Sequence, residues 1–353
     1  MIKFHFIMVV WGEVYTNFYV SIILPTQLSP GNLLYVQGRS KSVYHIYTTS
    51  KDVEKIKNAL SYVNLSRIMT TEIHLIDGLD LNFKYQAMAE CHKQAIQRAD
   101  REGCAMIFLS PDAICSDGTF MNVVNLAEKG IRAIMVAGIR VAKETFIPSF
   151  LAQHCDNGIF SISISSRQLV RIAMENLHPI SKTLFWNSKW FNNGWPSHLY
   201  WKVDGEGLVA RCFHMHPLMV YPTRRGVLPF GTIDDDFISL SCQSLDQIHV
   251  VDDSDEIAVC EVSDSNQWGE FLLSRSCIWR VVTWVVKHTN LVHRDFIKNK
   301  IRFHSEDLTI CWGKTEHDSE DVVRKILWLA ELLKSLQIYR LRSWLGEVIR
   351  SIK

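Results

Sequence analysis

A carboxylate stands just after a short apolar run in the first third of the chain. Asp112 follows Ala105–Leu109, and Ser116-Asp117-Gly118 comes shortly afterwards, where a helix is predicted to begin. In open α/β sheets, ligands lie outside the carboxyl ends of the strands, where hard oxygen ligands can hold a divalent cation against a diphosphate. The pattern therefore indicates a site for a diphosphate ligand. The alternative is that Pro111-Asp112 only makes a turn and Asp117 caps the helix.

A second set of candidate binding residues follows the first apolar run. Gly12 would let a ligand approach the backbone there, and Trp11 or Tyr15 could stack on a base. The chain has neither a Gly-x-Gly-x-x-Gly nor a complete Walker Gly-x-x-x-x-Gly-Lys-Ser/Thr loop, which disfavours an NAD oxidoreductase or a P-loop kinase. Phosphate charge must then be met by a metal and by lysine. Lys84, at the start of a predicted helix, is the candidate, with a solvated lysine as the alternative.

Two histidines form a third candidate group. In the segment 211–217 a strand would place Cys212, His214 and His216 on one face. Two imidazoles two residues apart on a strand can converge on one ion. The alternatives are histidines that are simply hydrogen-bonded in the core, and a zinc site that also uses Cys212.

Three consecutive acids form the fourth group. Asp234, Asp235 and Asp236 follow Gly231 at a predicted helix N-terminus, where the helix dipole stabilises negative charge. Capping accounts for one of them, and crowding all three costs repulsion unless a cation, sugar hydroxyls or a shifted pKa offsets it. At least one of the three is therefore predicted to act in a site.

A tryptophan-rich segment interrupts the regular pattern. Residues 186–198 hold three Trp, three Asn, a Gly and a Pro, so the segment is predicted to be a loop. Its side chains can both stack and hydrogen-bond, as a binding loop requires. Trp190, Asn193, Trp195 and His198 are the candidate binding residues, with buried structural tryptophans as the alternative.

The elements that must position these groups alternate between strand and helix. Such alternation is typical of βαβ units with a mainly parallel sheet. The predicted strands are Phe4–Val10, Val43–Thr48, Glu72–Ile76, Ala105–Leu109 and Ile131–Val136. The predicted helices between them are Val14–Leu24, Lys51–Leu60, Lys84–Arg101 and Phe120–Lys129. Further along, Leu208–Val220 is predicted to be one strand, Gly231–Leu240 a helix entry, and His249–Val262 one or two strands.

Two regions follow from this pattern. Residues 1–265 are predicted to form an α/β catalytic unit, and residues 266–353 a C-terminal helical region. In the latter, Ile278–Lys287 and Asp321–Lys353 are the predicted helices. Residues 321–353 carry seven basic and three acidic side chains, which would suit an anionic membrane surface. The favoured alternative is an ordinary amphipathic helix packed on the protein.

Composition limits the classes of partner. The chain has 353 residues, and its 38 basic and 37 acidic side chains nearly cancel, so a nucleic-acid partner is not expected. No apolar run reaches membrane-spanning length. Nine scattered cysteines without a Cys-x-x-Cys pair indicate reduced core thiols. The expected location is cytoplasmic, or the inner face of a membrane.

Taken together, residues 1–265 resemble nucleotide-sugar-dependent glycosyltransferases of the GT-A type. The resemblance rests on Trp11-Gly12, the Lys84 helix, the strand ending at Asp112, the His214/His216 strand and the acidic 231–236 turn. It implies an α/β/α sandwich with a mainly parallel central sheet, to which this chain adds a C-terminal helical appendage. It also implies sugar transfer from a nucleotide-sugar to an acceptor hydroxyl, in glycan or glycoconjugate assembly of the bacterial type.

The resemblance also implies roles for individual residues. Trp11, Gly12, Tyr15, Lys84 and Asp112 would bind the donor, and Asp112 would hold Mn²⁺ or Mg²⁺ with His214 or His216 as a late ligand. The family's Asp-x-Asp motif is here Ser110-Pro111-Asp112, so the first acid is missing and metal is held by one carboxylate or is not required.

On the acceptor side, Asp234, Asp235 or Asp236 would take the proton of the acceptor hydroxyl. Trp190, Asn193, Trp195 and His198 would contact the acceptor, which is a glycan, a lipid-linked sugar or a protein. Two functions of other classes stay open. One is a metal-dependent hydrolase or phosphoesterase built on the histidines, and the other is a non-catalytic carbohydrate-binding module.

Overall fold

A computed structural model describes residues 1–39, 41–153, 161–267 and 271–351, with side chains as far as residue 336. The strands are β1 Phe4–Val9, β2 Val43–Thr48, β3 Thr70–Leu75, β4 Ala105–Leu109, β5 Ala113–Cys115, β6 Ala133–Val136, β7 Ile139–Ala142, β8 Phe191–Asn192, β9 His198–Val203, β10 Gly207–Cys212, β11 His216–Val220, β12 Ile248–Val250, β13 Val259–Ser263, β14 Leu273–Ser274 and β15 Ile301–His304. The α-helices are α1 Glu13–Phe18, α2 Leu24–Gln27, α3 Leu33–Val36, α4 Ser50–Asn58, α5 Leu60–Ile68, α6 Lys84–Glu102, α7 Thr119–Glu128, α8 Lys143–Ala152, α9 Ser166–Glu175, α10 Pro179–Lys182, α11 Ile238–Ser241, α12 Ile278–His288, α13 Leu291–Phe296 and α14 Ile310–Ser351. Tyr19–Ile23 and Ile233–Phe237 are π-helical turns, and Leu245–Gln247 is a 3₁₀ turn.

A seven-stranded sheet forms the centre of the molecule, in the order β12-β6-β11-β4-β1-β2-β3. Every neighbouring pair is parallel except those of β11, which runs antiparallel to both β4 and β6. All six residues of β1 and all five of β4 are buried, as expected for parallel strands covered on both faces. The α/β class with a mainly parallel sheet and a C-terminal helix is therefore confirmed.

The direction in which strands are added changes between β1 and β4. The chain builds β2 and β3 outward on one side of β1, and then places β4 on its other side. Such a switch point leaves a crevice at the carboxyl ends of the two central strands, where ligands bind in open α/β sheets. The first five predicted strands are confirmed within two residues at each end, so Asp112 does follow a central strand.

One predicted strand is wrong. The segment from Leu208 to Val220 forms two strands in different sheets, because the chain bends at residues 213–215 and leaves one sheet for the other. β10 lies in a three-stranded sheet between β9 and β15, whereas β11 lies in the central sheet. Apolar and polar residues alternate from Phe213 to His216, as in a strand, and this conceals the bend.

The sheet β9-β10-β15 separates two apolar cores. Leu208 and Ala210 face the main core beneath the central sheet, and Val209 faces a second core shared with α12 and α14. Ile326 of α14 is buried in that second core, so this part of the C-terminal helix packs on the protein as an amphipathic helix. Ile352 and Lys353, the last residues of the predicted helix, lie outside the described residues.

A buried arginine also joins this sheet to the C-terminal helices. The Arg211 side chain is 1 % exposed and donates to Ser319 Oγ of α14 at 3.0 Å and to the Lys298 carbonyl at 2.6 Å. Strand β15 likewise brings residues 301–304 into register with residues 207–210. The division at residue 265 stays a prediction.

The state of the cysteines agrees with the prediction of reduced core thiols. The eight cysteines that the structure describes are all free and six of them are buried, whereas Cys155 lies outside the described residues. Across the described ranges, no helix combines the length and the apolar character needed to cross a bilayer. Membrane contact through the C-terminal helix stays a prediction.

Candidate functional site

A cavity of about 540 Å³ opens at the switch point of the central sheet. Met8 of β1 lies opposite Leu109 of β4, so the residues after each strand meet at one place. We call it the main cavity, and its lining comes from the ends of β1, β4 and β6, from the start of α6 and from a small sheet, β5-β13-β7. A space of this volume suits a ligand of the size of a nucleotide.

Asp112 lies in the wall of the main cavity. The Ser110 hydroxyl donates to its carboxylate, and its backbone carbonyl accepts from the Val262 N–H at 2.8 Å. Burial raises the pKa of the Asp112 carboxyl above its ordinary value, the hydrogen bond from Ser110 opposes this, and the negative charge of Glu261 adds to it. A cation or a hydrogen-bond donor on the ligand would therefore be favoured beside Asp112.

Two charged residues of the main cavity were not predicted from the sequence. Arg140 of β7 donates to Glu261 of β13 through Nε at 3.3 Å and Nη2 at 3.0 Å, and both line the cavity. Strands β7 and β13 are parallel neighbours, and register places Glu261 beside Arg140. The signal in the sequence is one charged residue inside each short apolar strand, Ile139–Ala142 and Val259–Ser263. The sequence does not show that these two strands, some 120 residues apart, pair with each other.

A further part of the cavity wall holds three of the predicted donor-side residues, and Gly12 is not among the lining residues. Trp11, Tyr15 and Lys84 all line the main cavity. Gly12 has a φ of 80°, which favours glycine, and its N–H donates to the Asp52 carboxylate at 2.9 Å. The Lys84 ammonium lies 5.0 Å from the ring centroid of Tyr85, another residue of this wall. Aromatic and basic groups are therefore placed together, as a base and a phosphate would require.

The two predicted metal-binding histidines are separated by the bend between β10 and β11. His216 lines the main cavity, and its Nε2 lies 2.9 Å from the Phe108 carbonyl. Because a carbonyl only accepts, Nε2 carries a hydrogen and Nδ1 keeps its lone pair in the neutral ring. His214 instead packs against Trp284 and His293 in another part of the molecule, with ring centroids 5.6 and 4.3 Å away. The prediction that His214 and His216 share one strand face, and so act together, is therefore wrong.

The three consecutive acids share one turn but line two different cavities. They lie in the π-helical turn Ile233–Phe237, where Asp234 lines the main cavity. Asp235 and Asp236 line a second cavity of about 340 Å³. Asp235 accepts from the Thr232 hydroxyl at 3.2 Å, and Asp236 accepts from the Phe230 N–H at 3.3 Å. Only the first of the three acids faces the residues predicted to bind a ligand.

The predicted acceptor-side residues do not line the main cavity. Trp190 and Trp195 are 64 % and 51 % exposed, and the ring of Trp195 packs against Trp284 and His288 with centroids 5.3 and 5.2 Å away. Asn193 is buried, donating to Ser274 Oγ at 2.9 Å and accepting from the Cys277 N–H at 2.9 Å. His198 Nδ1 lies 2.8 Å from Ser197 Oγ. Asn193 therefore holds the loop in place, and its predicted contact with an acceptor would need these bonds to break.

The main cavity offers oxygen ligands to a cation. Asp112 and Glu261 are carboxylates, and His216 offers a nitrogen lone pair. Among the described residues, three groups of His, Cys, Asp or Glu have ligand atoms within 4.8 Å of one another, and none of them includes Asp112, His214 or His216. The donor set thus fits a cation of the Mg²⁺ or Mn²⁺ class, which uses one or two carboxylates together with substrate phosphates, better than a site built from protein ligands alone.

Comparisons with known proteins found structural neighbours only. No protein-family model matches the chain, and no curated protein matches it. The crystal structure of S. aureus TarS is matched at a TM-score of 0.28 with 13 % identity, over 40 % of this chain and 22 % of that one. Mouse xyloside xylosyltransferase 1 in its apo form is matched at 0.26 with 10 % identity, over 44 % and 60 %. This chain covers less than two thirds of either structure, and at these TM-scores the likeness establishes neither a fold family nor an activity for it.

Proposed function

We propose that this protein is a glycosyltransferase that moves a sugar from a nucleotide-sugar donor to an acceptor hydroxyl. The observation that carries the proposal is the convergence of Trp11, Lys84 and Asp112 on one cavity at the switch point of the sheet. These groups match the three parts of such a donor, which are an aromatic base, a diphosphate and a sugar bearing hydroxyls. The acceptor belongs to the glycans, lipid-linked sugars or proteins.

Donor binding follows from the two walls of the main cavity. Trp11 and Tyr15 would stack on the base, and Lys84 would meet the diphosphate without a glycine-rich loop. Arg140, which is hydrogen-bonded to Glu261, would offer the diphosphate a second positive charge. Its bonds to Glu261 fix the guanidinium before the donor arrives, which lowers the entropic cost of binding.

A divalent cation would be held by Asp112, with His216 Nδ1 as a second ligand. Mg²⁺ or Mn²⁺ bound there supplies charge that stabilises the departing diphosphate. Asp112 is suited to this position because burial and the charge of Glu261 both disfavour a bare carboxylate. The Phe108 carbonyl orients His216 so that its free lone pair belongs to Nδ1.

Asp234 is the proposed acceptor of the proton from the acceptor hydroxyl. It is the acid of the run 234–236 that lines the main cavity, so it can approach the sugar end of a bound donor. Asp235 and Asp236 are instead bonded within their own turn. A carboxylate that accepts the hydroxyl proton raises the nucleophilicity of the oxygen as it attacks the sugar.

A thermal-shift screen of UDP-, GDP-, CMP- and TDP-sugars, with and without Mn²⁺, tests the proposal. A ligand of the native state raises the melting temperature in proportion to ln(1 + [L]/Kd), so one nucleotide class should stabilise the protein. The free sugars and a phosphodiester substrate serve as comparison ligands. Stabilisation by free sugar alone would favour the carbohydrate-binding module, and no shift with any nucleotide-sugar would contradict the proposal.

A further inference from the structure

Three potential metal ligands share one face at the outer edge of the central sheet. His45 lies on β2, and Glu72 and His74 lie on the edge strand β3. Register places His45 beside Glu72, and residues two apart on a strand point to the same side. The three side chains, which we call the edge triad, therefore meet over one patch of the sheet.

The distances within the edge triad match those of a zinc centre. His45 Nδ1 lies 3.0 Å from His74 Nε2, and Glu72 Oε2 lies 3.6 Å from the first and 3.8 Å from the second. The point equidistant from the three atoms is about 2.0 Å from each of them, which is the usual length of Zn–N and Zn–O bonds. The three ligand atoms are therefore close enough together to share one ion.

We propose that the edge triad is a Zn²⁺-binding site, separate from the main cavity. Two imidazoles and one carboxylate form a donor set that prefers zinc to Mg²⁺. Because the ligands come from two strands, the bound ion would tie the edge strand β3 to β2. The side chains of Glu72 and His74 are 40 % and 19 % exposed, which gives the ion a path from solvent and leaves room for water as a fourth ligand.

Surrounding side chains hold the edge triad as outer-shell residues hold metal ligands. Arg98 of α6 donates to Glu72 Oε2 at 2.8 Å, and a carboxylate oxygen has a second lone pair for a metal. The ring of His74 stacks on Tyr47 with centroids 4.6 Å apart, which fixes its orientation. His45 is 1 % exposed, so its ring cannot turn away into solvent.

The metal-free alternative is a hydrogen bond between the two rings, His45 Nδ1 and His74 Nε2. In this state one proton lies between the two ring nitrogens, and Glu72 is bonded to Arg98 only. It also leaves His45 Nε2, a buried atom, without a hydrogen-bond partner, as metal binding would. Only one of the two states contains Zn²⁺, so a measurement of Zn²⁺ binding distinguishes them.

Titration of the metal-free full-length chain with ZnCl₂ by calorimetry tests the site. One Zn²⁺ should bind, and MgCl₂ should not compete. Glu72→Gln keeps the shape of the side chain and removes its charge, and His74→Ala removes a ligand from a partly exposed position. Each substitution should weaken Zn²⁺ binding about tenfold or more. Circular dichroism of the metal-free variants checks that both retain the fold.

Two control variants locate the ion. His317→Ala removes an imidazole whose side chain is 70 % exposed, and Asp112→Asn alters the main cavity. Both should bind Zn²⁺ within about twofold of the unmodified protein, since neither contacts the edge triad. Co²⁺ should replace Zn²⁺ and give a visible d–d band without a thiolate charge-transfer band. The proposal is overturned if the protein binds no Zn²⁺, if both edge-triad variants bind it normally, or if Asp112→Asn abolishes the binding.

Discussion

The main cavity and the edge triad use the same residue types in opposite ways. Both combine carboxylates with imidazole on the central sheet. In the main cavity these groups come from distant parts of the chain and surround about 540 Å³ of space. In the edge triad they come from two neighbouring strands, with ligand atoms 3.0 to 3.8 Å apart. The separation of the ligand atoms, and not the residue types, decides whether a place suits an organic substrate or a single ion.

The largest effect is expected where the core supports the main cavity. Phe108 is buried in β4, with its ring 5.3 Å from His92 and 6.3 Å from Phe237. Phe108→Ala should lower the free energy of unfolding by about 3–5 kcal/mol, as large-to-small core changes do. It should also weaken nucleotide binding, because Phe108 itself lines the main cavity. Urea unfolding measures the first effect. Equal stability of the variant and the unmodified protein would show that this core does not support the cavity.

Asp234→Asn should have the next largest effect, on transfer alone. Loss of a positioned acid–base group costs on the order of 10² in rate, whereas Asp235→Asn and Asp236→Asn should change stability by only about 1 kcal/mol, because their turn hydrogen bonds then have a neutral acceptor. Steady-state transfer from the donor that the ligand screen identifies measures the rates. If all three variants transfer within a few-fold of the unmodified protein, the proton acceptor is another residue, with Glu261 as the next candidate in the main cavity.

Asp112→Asn should act on binding. The exchange is nearly isosteric, so the fold is kept, and loss of the charge should weaken Mn²⁺-dependent nucleotide affinity about tenfold, as expected for one charge-assisted contact. Calorimetry with and without Mn²⁺ measures it. Zn²⁺ binding at the edge triad serves as the internal control and should not change. Unaltered nucleotide affinity in both conditions would rule out the metal role of Asp112.

The last effect is a change in acid sensitivity at the start of β9, where His198 lies. Burial lowers the pKa of His198 from 6.5 to about 4, with the charge of Glu261 opposing the shift and that of Arg140 adding to it. The unfolded chain binds a proton at His198 more tightly than the folded protein does. The contribution of neutral His198 to the free energy of unfolding is therefore complete above pH 6.5 and is lost as the pH falls towards 4. The loss is at most about 1.4 kcal/mol per pH unit.

His198→Gln should therefore flatten the acid limb of the stability curve between pH 6.5 and 4, with His317→Gln, at a position 70 % exposed, as the control for removal of one imidazole. Chemical unfolding at a series of pH values makes the comparison. Parallel curves for the unmodified protein and His198→Gln would contradict a buried neutral imidazole at this position.

Local sequence patterns predicted the parts of the molecule that are formed locally. The strand that precedes Asp112 and the helix that begins at Lys84 were predicted because apolar periodicity and strand ends are properties of short segments. Arg140 and Glu261 were missed because their role depends on the pairing of β7 with β13, which no short segment encodes. The bend at residues 213–215 was missed because apolar and polar residues alternate from Phe213 to His216, as they would in a strand.

The position of β11 in the sheet has a consequence for biosynthesis. This strand, residues 216–220, fills the gap between β4 and β6, both of which emerge from the ribosome some 80 residues or more before it. Until then β4 and β6 each expose an unpaired apolar edge, the feature that recruits neighbouring chains during folding. The nascent chain is thus most vulnerable to aggregation in the interval between residue 136 and residue 220.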